Sequence, residues 1–345
     1  MTKPIIAITM GDPAGIGPEI IAKALAKPET YATFSPVIFG SERALLRAFG
    51  FTGVSFPYEN LDPKKSFPTT VSGIGLWNDE SQLGKTLALG EVDAACGASA
   101  FVWLDTAIQL AKEKKVAAIA TAPLNKEALN NAGYHYAGHT EILAEKTGTA
   151  EYTLMLIAGA FRVTHVTCHV ALRDVSSLLT RKRILSTIRI FNQALTRLDG
   201  RPPRIAVCAF NPHAGEAGLF GSEEIQAIRP AIEQAIQEGI TAEGPFPSDS
   251  IFPQLVGGRY DGAIAMYHDQ GHIAFKMANF AFDPVKKEWD TVTGVNVTLG
   301  LPIIRTSVDH GTAFDLAGTG KASERSLLDA IEVALRLTGS VESNR

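Results

Sequence analysis

Cysteine is scarce: Cys96, Cys168 and Cys208 are the only three in 345 residues. An odd count without regular spacing argues against a disulfide framework and suits a reducing compartment, so a cytoplasmic protein is expected. Long apolar runs are lacking as well. None approaches the roughly 18–20 residues that span a bilayer, and no membrane partner is expected. The apolar run at 5–10 is too short for a secretory signal and has no small-residue cleavage site behind it. Positive charge is not in excess, with 32 Lys and Arg against 36 Asp and Glu and a net charge of −4. Such a chain is poorly equipped to neutralise a phosphate backbone, which argues against nucleic acid and leaves a small anion open. There is no internal repeat and no low-complexity tract. Histidine is present but confined, all eight lying between His135 and His310.

The remainder has the composition of a folded globular chain, 46% apolar and 20% charged, with length for one large or two medium domains. Apolar runs read as strands at 5–10, 36–39, 117–121, 153–157, 163–167, 205–210, 263–266 and 295–298. Helical spacing is read at 17–26, 42–49, 87–112, 140–146, 181–198, 223–238 and 322–337. In the fifth of these helices Ile184, Leu185, Ile188, Phe191, Leu195 and Leu198 share one face. The alternation predicts an α/β protein of layered helices and sheet. At 151–167 two strands meet at Gly159 and Ala160, a hairpin that implies a mixed sheet or an arm reaching another subunit. Residues 56–70 read as a surface excursion and 279–294 as an irregular flap.

Three histidines follow strand-like runs: His169 after 161–167, His213 after 205–210 and His268 after 263–266. Strand ends in an open α/β sheet are where ligands bind. Three imidazoles at such ends make an open-sided site for a divalent metal. A lone histidine there is ordinarily structural; three, each beside a carboxylate or amide, favour metal. His268 and His272 also have the spacing of a helical zinc pair. Asp269 replaces its glutamate, however, and Gly271 interrupts a helix, so His272 reads as a neighbour, not a ligand. Asp249 and Asp269 offer carboxylates, and Lys276 an ammonium, for binding an anion or moving a proton.

Four further stretches carry weaker signals. Gly11, Gly15 and Gly17 do not fit the dinucleotide fingerprint, and mark either a ligand loop or a plain strand-to-helix turn. Lys126 opens a helix, as an anion contact or a solvated side chain. His139 and Thr140 stand at another helix start, the hydroxyl acting as a cap or an anion contact. Residues 306–320 place Gly-containing turns on both sides of a short apolar piece. They suit the wrapping of a flat ring, or no more than an irregular loop.

Taken as a set, the stretches 10–19, 121–126, 138–141, 211–216, 267–272 and 300–318 resemble the 4-hydroxythreonine-4-phosphate dehydrogenase family and its sugar-acid-phosphate relatives. The likeness runs from Met10 to about Ser323. It implies two α/β/α domains of the isocitrate and isopropylmalate dehydrogenase type with a cleft between them. The first domain is expected at 1–130 plus 300–345, and the second, with a dimerisation arm and the metal site, at 131–299. The resemblance assigns His169, His213 and His268 to one divalent metal per subunit (Zn, Mg, Mn or Co), at a homodimer interface that draws ligands from both subunits. It makes His139 and Thr140 contacts to a substrate phosphate, and Lys276, Asn296 and Arg305 contacts near the metal and a carboxylate. It gives Asp309, His310, Gly311, Thr312, Asp315 and Gly318 to NAD.

The implied reaction is oxidation and decarboxylation of a phosphorylated four-carbon hydroxy acid, with Lys276, Asp249 and Asp269 as candidate catalytic groups. His272, Ile273 and the long 279–294 stretch depart from the pyridoxine-biosynthesis pattern and resemble the subgroup acting on D-threonate or D-erythronate 4-phosphate. An imidazole at 272 beside the substrate would disfavour an ammonium, which points to the sugar acid. The rivals are a dihydrodiol dehydrogenase of terephthalate-type aromatic degradation, a three-histidine metal hydrolase and a metal-binding module without catalysis.

Overall fold

The computed structural model describes residues 3–284 and 288–339. The chain begins with β1 (Ile5–Thr9), α1 (Gly17–Leu25), β2 (Ser35–Gly40), α2 (Glu42–Thr52), β3 (Glu59–Leu61), β4 (Gly75–Asn78) and α3 (Ala94–Lys112). Next come β5 (Ala118–Thr121), α4 (Lys126–Asn131), α5 (His139–Thr147), β6 (Thr153–Ala158), β7 (Phe161–His165), α6 (Leu172–Leu178) and α7 (Arg181–Asp199). Then follow β8 (Ile205–Cys208), α8 (Arg229–Gln237), β9 (Ala242–Phe246), α9 (Ser248–Val256), β10 (Gly262–Ala265) and α10 (His268–Asn279). Last are β11 (Phe280–Asp283), β12 (Glu288–Val292), β13 (Val295–Leu299), β14 (Arg305–Val308) and α11 (Arg325–Thr338).

Among the described residues two compact units result, one from those up to Ala150 together with 301–339, the other from Glu151–Gly300. The first join falls after Ala150 rather than near 130. The reason is that α5 is fastened to α3: Lys146 pairs with Asp105 at 3.1 Å, and Lys112 donates to the Lys146 carbonyl.

In the first unit six strands run in the order β3-β4-β2-β1-β5-β14, each pair parallel. Parallel strands covered on both faces need continuous apolar runs, and every residue of β1 and β5 is buried. Ser41 caps α2 by accepting from the Ala44 N–H, and α2 ends on left-handed Gly53. Asp93 caps α3, so that helix starts at Ala94 and not at 87. α3 is long and apolar enough by composition to cross a membrane, with mean hydropathy 1.3, which corrects the expectation that no such run exists. It packs as a core helix instead, with Trp103, Leu104 and Ile108 buried. The 56–70 stretch is no simple excursion, since β3 lies within it and Phe56, Leu61 and Phe67 are buried.

The second unit has the order β13-β6-β7-β10-β8-β9. β7, β10, β8 and β9 are parallel, while β6 is antiparallel to both its neighbours. The hairpin turning at Gly159 and Ala160 is thus built into a mixed sheet, with β13 on one side and β10 on the other, and is not a free arm. α7 buries Ile184, Leu185, Ile188, Phe191, Leu195 and Leu198. At its end Asp199 receives Arg162 through two guanidinium hydrogen bonds. The segment expected to be irregular at 279–294 contains the antiparallel pair β11–β12. Cys96 and Cys208 are buried free thiols.

Candidate functional site

Adjacent parallel strands send their following loops out of the same sheet edge. β7, β10 and β8 are such neighbours, and the chain that leaves them carries His169, His268 and His213 respectively. Gln270 laces these ends together. Its Oε1 accepts from the Met266 N–H, and its Nε2 donates to the Ala209 carbonyl and to the Ser248 hydroxyl. Thr167 adds a bond from its hydroxyl to the Met266 carbonyl at 2.8 Å.

His169 and His268 line one cavity of about 280 Å³ with Thr167, Cys168, Tyr267 and Asp269. Their ring centres are 5.7 Å apart. Two imidazoles sharing an ion at about 2.1 Å stand with ring centres on the order of 5–6 Å apart, so the pair fits a divalent metal. Asp269 Oδ1 lies 2.6 Å from His268 Nδ1, which fixes the ring and leaves Nε2 for an ion. Among the described residues no three His, Cys, Asp or Glu side chains of one chain gather as a complete ligand set. His213 is largely exposed on its own loop, 3.9 Å from Glu216.

The backbone at these histidines is unusual. His169 has φ 50°, and His213, Ala214, Gly215, Glu216 and Ala217 form a left-handed turn with φ between 44° and 78°. Left-handed helical geometry costs on the order of 1–2 kcal/mol per non-glycine residue. Strain of this kind persists only where the surroundings impose it, and it gathers at functional sites.

α10 starts at His268 and runs through Gly271, which corrects the expectation that Gly271 interrupts a helix. Packing explains the glycine: a Cβ there would lie 2.3 Å from Nε2 of His165 on β7. Helical spacing then stacks His272 on His268, ring centres 3.6 Å apart, with His165 4.7 Å from His272 and 6.2 Å from His268. The His272 Nδ1 lies 3.0 Å from the His268 carbonyl. Burial, reinforced by the neighbouring imidazoles, pulls His272 down to about 4 and His165 to about 3. Burial thus favours the neutral form of His272, whose ring is stacked on His268. Among the described residues His165 makes no well-formed ring hydrogen bond, although the Leu154 backbone lies close enough to favour its charged form slightly.

Of the other residues singled out in this unit, Asp249 is exposed in the first turn of α9. Lys276 is exposed two turns along α10, its ammonium 5.3 Å from the Phe280 ring centre. Asn296 is half-buried on β13.

The first unit gathers a second set. Arg305, 3% exposed at the start of β14, donates to the Thr121 hydroxyl at 2.7 Å. Burial lowers its guanidinium to about 9, partly offset by Glu141. The same burial, with Arg305 adding, holds the His139 imidazole well below its usual value. α5 has Gly138 at its N-cap and no side-chain cap, so Thr140 is not the cap and the first-turn N–H groups stay open. A Cβ on Gly138 would meet Glu141 at 3.7 Å and the Lys126 side chain at 3.8 Å, so Lys126 reaches the same helix start. Cationic and N–H groups converging at a helix N-terminus suit an anion.

The 309–320 loop is ordered by close packing. The Asp309 N–H is held by Ser326, the Thr312 carbonyl accepts from Ile16, and Gly320 sits against the Phe51 backbone. His310 bonds the Gly311 carbonyl through Nδ1, and burial lowers its pKa. Its Nε2 is buried with no hydrogen-bond partner among the described residues, an orphaned polar atom that suits a bound ring or ribose. Gly311, Asp315 and Gly318 lie on this same loop. Gly11, Gly15 and Gly17 are spent on internal contacts with Pro123, Thr312 and Met10, which favours the plain-turn reading of that stretch.

Sequence reading missed His165, Gln270 and the stacking role of His272. A glutamine two residues after His268 was the available signal for Gln270; nothing local marks His165.

Comparison with known proteins agrees with this architecture. Residues 32–334 match the family model described as pyridoxal phosphate biosynthetic protein PdxA. A protein of Bradyrhizobium diazoefficiens, provisionally named D-threonate 4-phosphate dehydrogenase, is 46% identical over 100% of both chains. A Geobacter metallireducens protein named 4-hydroxythreonine-4-phosphate dehydrogenase is 46% identical over 97% of this chain and 96% of its own. The crystal structure of the Klebsiella pneumoniae 4-hydroxythreonine-4-phosphate dehydrogenase superposes with a TM-score of 0.80 at 42% identity, covering 97% of this chain and 100% of that one. The chain belongs to the PdxA family and is an oxidoreductase.

Proposed function

We propose that this enzyme oxidises and decarboxylates a phosphorylated four-carbon hydroxy acid in the cytoplasm, using NAD and one divalent metal per subunit. The observation that carries the reading is the His169–His268 pair across one cavity, 5.7 Å between ring centres, with an anion-suited helix start in the other unit. Between substrates we favour D-threonate or D-erythronate 4-phosphate over 4-phosphohydroxy-L-threonine. The full-length likeness to the Bradyrhizobium protein supports this choice; the equal identity of the Geobacter protein keeps the amino substrate as the comparison to make.

Each group has a role in this reading. His139, Thr140, Lys126 and the α5 N-terminus hold the phosphate, and Arg305 and Asn296 orient the substrate. His169 and His268, with His213, hold the metal, which when bound acidifies a coordinated hydroxyl and stabilises negative charge on oxygen. The 309–320 loop, with Asp309, His310, Gly311, Thr312, Asp315 and Gly318, holds NAD, which takes up the hydride from the carbinol carbon. Lys276, Asp249 and Asp269 are the groups available to the proton. The hydroxyl proton is released, the β-keto acid loses CO2, and a proton returns to carbon.

The same reading takes a homodimer, with the metal site at the subunit interface. Val170, Leu172, Leu219, Phe220, Ile273 and Met277 are exposed apolar side chains on the segments that bear or follow the three histidines. Such an apolar surface is suited to burial against a second copy.

The test is an NAD-reduction screen over phosphorylated four-carbon hydroxy acids, before and after dialysis against chelator and with metal restored. The expected result is metal-dependent NADH formation with the sugar-acid phosphate preferred. A preference for 4-phosphohydroxy-L-threonine would reverse the substrate choice. Activity on an unphosphorylated dihydrodiol alone would remove the phosphate, and metal-dependent hydrolysis without NADH would remove the dehydrogenase reading.

A further inference from the structure

His213 sits in a left-handed turn, and four of the five residues in that turn are not glycine. Its own side chain is 72% exposed, so burial of the imidazole does not hold the turn in place. The restraint comes from two consecutive carboxylates that the proposed chemistry does not use. Glu224 is 1% exposed. Its Oε1 accepts the main-chain N–H groups of Phe210 and Asn211 at 2.8 and 2.7 Å, and its Oε2 accepts from the Asn211 amide at 2.9 Å. Glu223 takes the same Asn211 amide on Oε2 at 2.7 Å. Its Oε1 accepts the Ser176 hydroxyl of α6 at 2.5 Å.

The fit leaves no slack. A Cβ on Gly215 would lie 2.7 Å from Glu224 Oε2, and one on Gly221 would lie 2.4 Å from the Asn211 amide nitrogen. Glu224 opens a five-residue π-helical turn, Glu224–Ile228. Such turns recur at functional sites because they re-aim side chains that a regular helix would misplace.

We propose that Glu223 and Glu224 are positioning residues of the metal site. Glu224 clamps Asn211 and so imposes the left-handed turn that presents His213, and Glu223 couples this turn to α6, the helix that follows His169. The inference rests on the reading of His213 as a metal ligand. Neither carboxylate touches the ion or the substrate. They act through Asn211, as groups behind the ligands commonly do, where their loss typically costs 10–100-fold in metal affinity.

The test uses the full-length protein with Glu224→Gln and Glu223→Gln. Glutamine at 224 keeps one oxygen for the two main-chain N–H groups but turns an NH2 toward the Asn211 amide, donor against donor. Two readouts are taken: hydrogen exchange of the 211–218 amides without metal, and cobalt(II) affinity followed by absorbance. The expected result for Glu224→Gln is at least tenfold faster exchange in the turn and at least tenfold weaker cobalt binding, with the sheet amides unchanged. Glu223→Gln, on a less buried side chain, is expected to speed exchange in both the turn and α6, and it carries the test if the first variant does not fold. Wild-type exchange in both variants would overturn the clamp. Faster exchange with unchanged cobalt affinity would reduce the pair to a structural clamp and overturn its role in the site. A wild-type protein that takes up no cobalt would instead overturn the metal reading of His213, and the exchange data would still decide whether the clamp exists.

Discussion

A single absent methyl group sets the geometry around His268. Alanine at 271 would bring a Cβ to 2.3 Å from Nε2 of the buried His165. Overpacking of this kind costs about 1–3 kcal/mol, whereas glycine to alanine inside a helix returns about 1 kcal/mol. The clash outweighs the helix gain over most of that range, so Gly271→Ala is expected to destabilise the protein by up to about 2 kcal/mol in urea unfolding. In a His165→Ala background the same substitution is expected to become neutral or stabilising. Equal cost in both backgrounds would show that the imidazole is not what the glycine accommodates. Asp12 gives a second test at this scale. Its Oδ1 accepts from the Ala14 N–H, its Oδ2 is buried with no hydrogen-bond partner among the described residues, and burial raises its pKa to about 6. The folded state therefore binds the proton more tightly than the unfolded chain, whose value is 3.8. Any stability from this group is complete below pH 3.8 and is lost as pH rises through about 6. Asp12→Asn is expected to raise the melting temperature relative to wild type at pH 8 by more than it does at pH 4.5. A difference that does not vary with pH would mean that Asp12 ionises normally in the fold.

At the level of elements, what the sequence revealed and what it concealed divide along physical lines. Strands buried on both faces, such as β1 and β5, are continuous apolar runs and are legible as such. β3, β4, β9 and β14 span three to five residues. That is too short for any period to emerge, and β14 opens on an arginine. α10 was hidden because glycine is a poor helix former and the contact that requires it lies on β7, a hundred residues away in sequence. The histidines at strand ends were legible as a set. The left-handed backbone at His169 and His213 was not; at His213 the proposed restraint is Glu224, which lies beyond the turn in sequence. The stack on α10 also revises what His272 is expected to do. Its ring lies on His268 at 3.6 Å and points its Nδ1 at the His268 carbonyl, so on the proposed metal reading its expected role is to orient His268. His272→Leu is expected to weaken cobalt(II) binding several-fold while leaving the ratio of kcat/KM for sugar-acid and amino substrates within about twofold. A reversal of that ratio with unchanged metal affinity would return His272 to the role of a selectivity group.

For the whole molecule, the proposed metal site is completed by a second copy of the chain. One chain pairs His169 with His268, and among the described residues no third ligand of the same chain joins them. Met277 and Ile273 lie one turn apart on α10, 80% and 64% exposed, and Leu219, following the His213 turn, is 72% exposed. An apolar surface attached to an incomplete ligand set is expected where a second copy supplies the remainder. Association and metal retention should then be lost together. Met277→Glu places a charge where a dimer would have to desolvate it. It touches neither His169 nor His268 in the ring contacts that define the pair. The variant is expected to sediment as a monomer, to lose most of its bound metal on gel filtration and to lose turnover, with its melting curve little changed in the absence of metal. Leu46→Glu, which also replaces an exposed apolar side chain (52% exposed) but in the first unit, is the control and is expected to leave all three unchanged. A monomeric Met277→Glu enzyme that keeps its metal and its activity would place the whole ligand set within one chain.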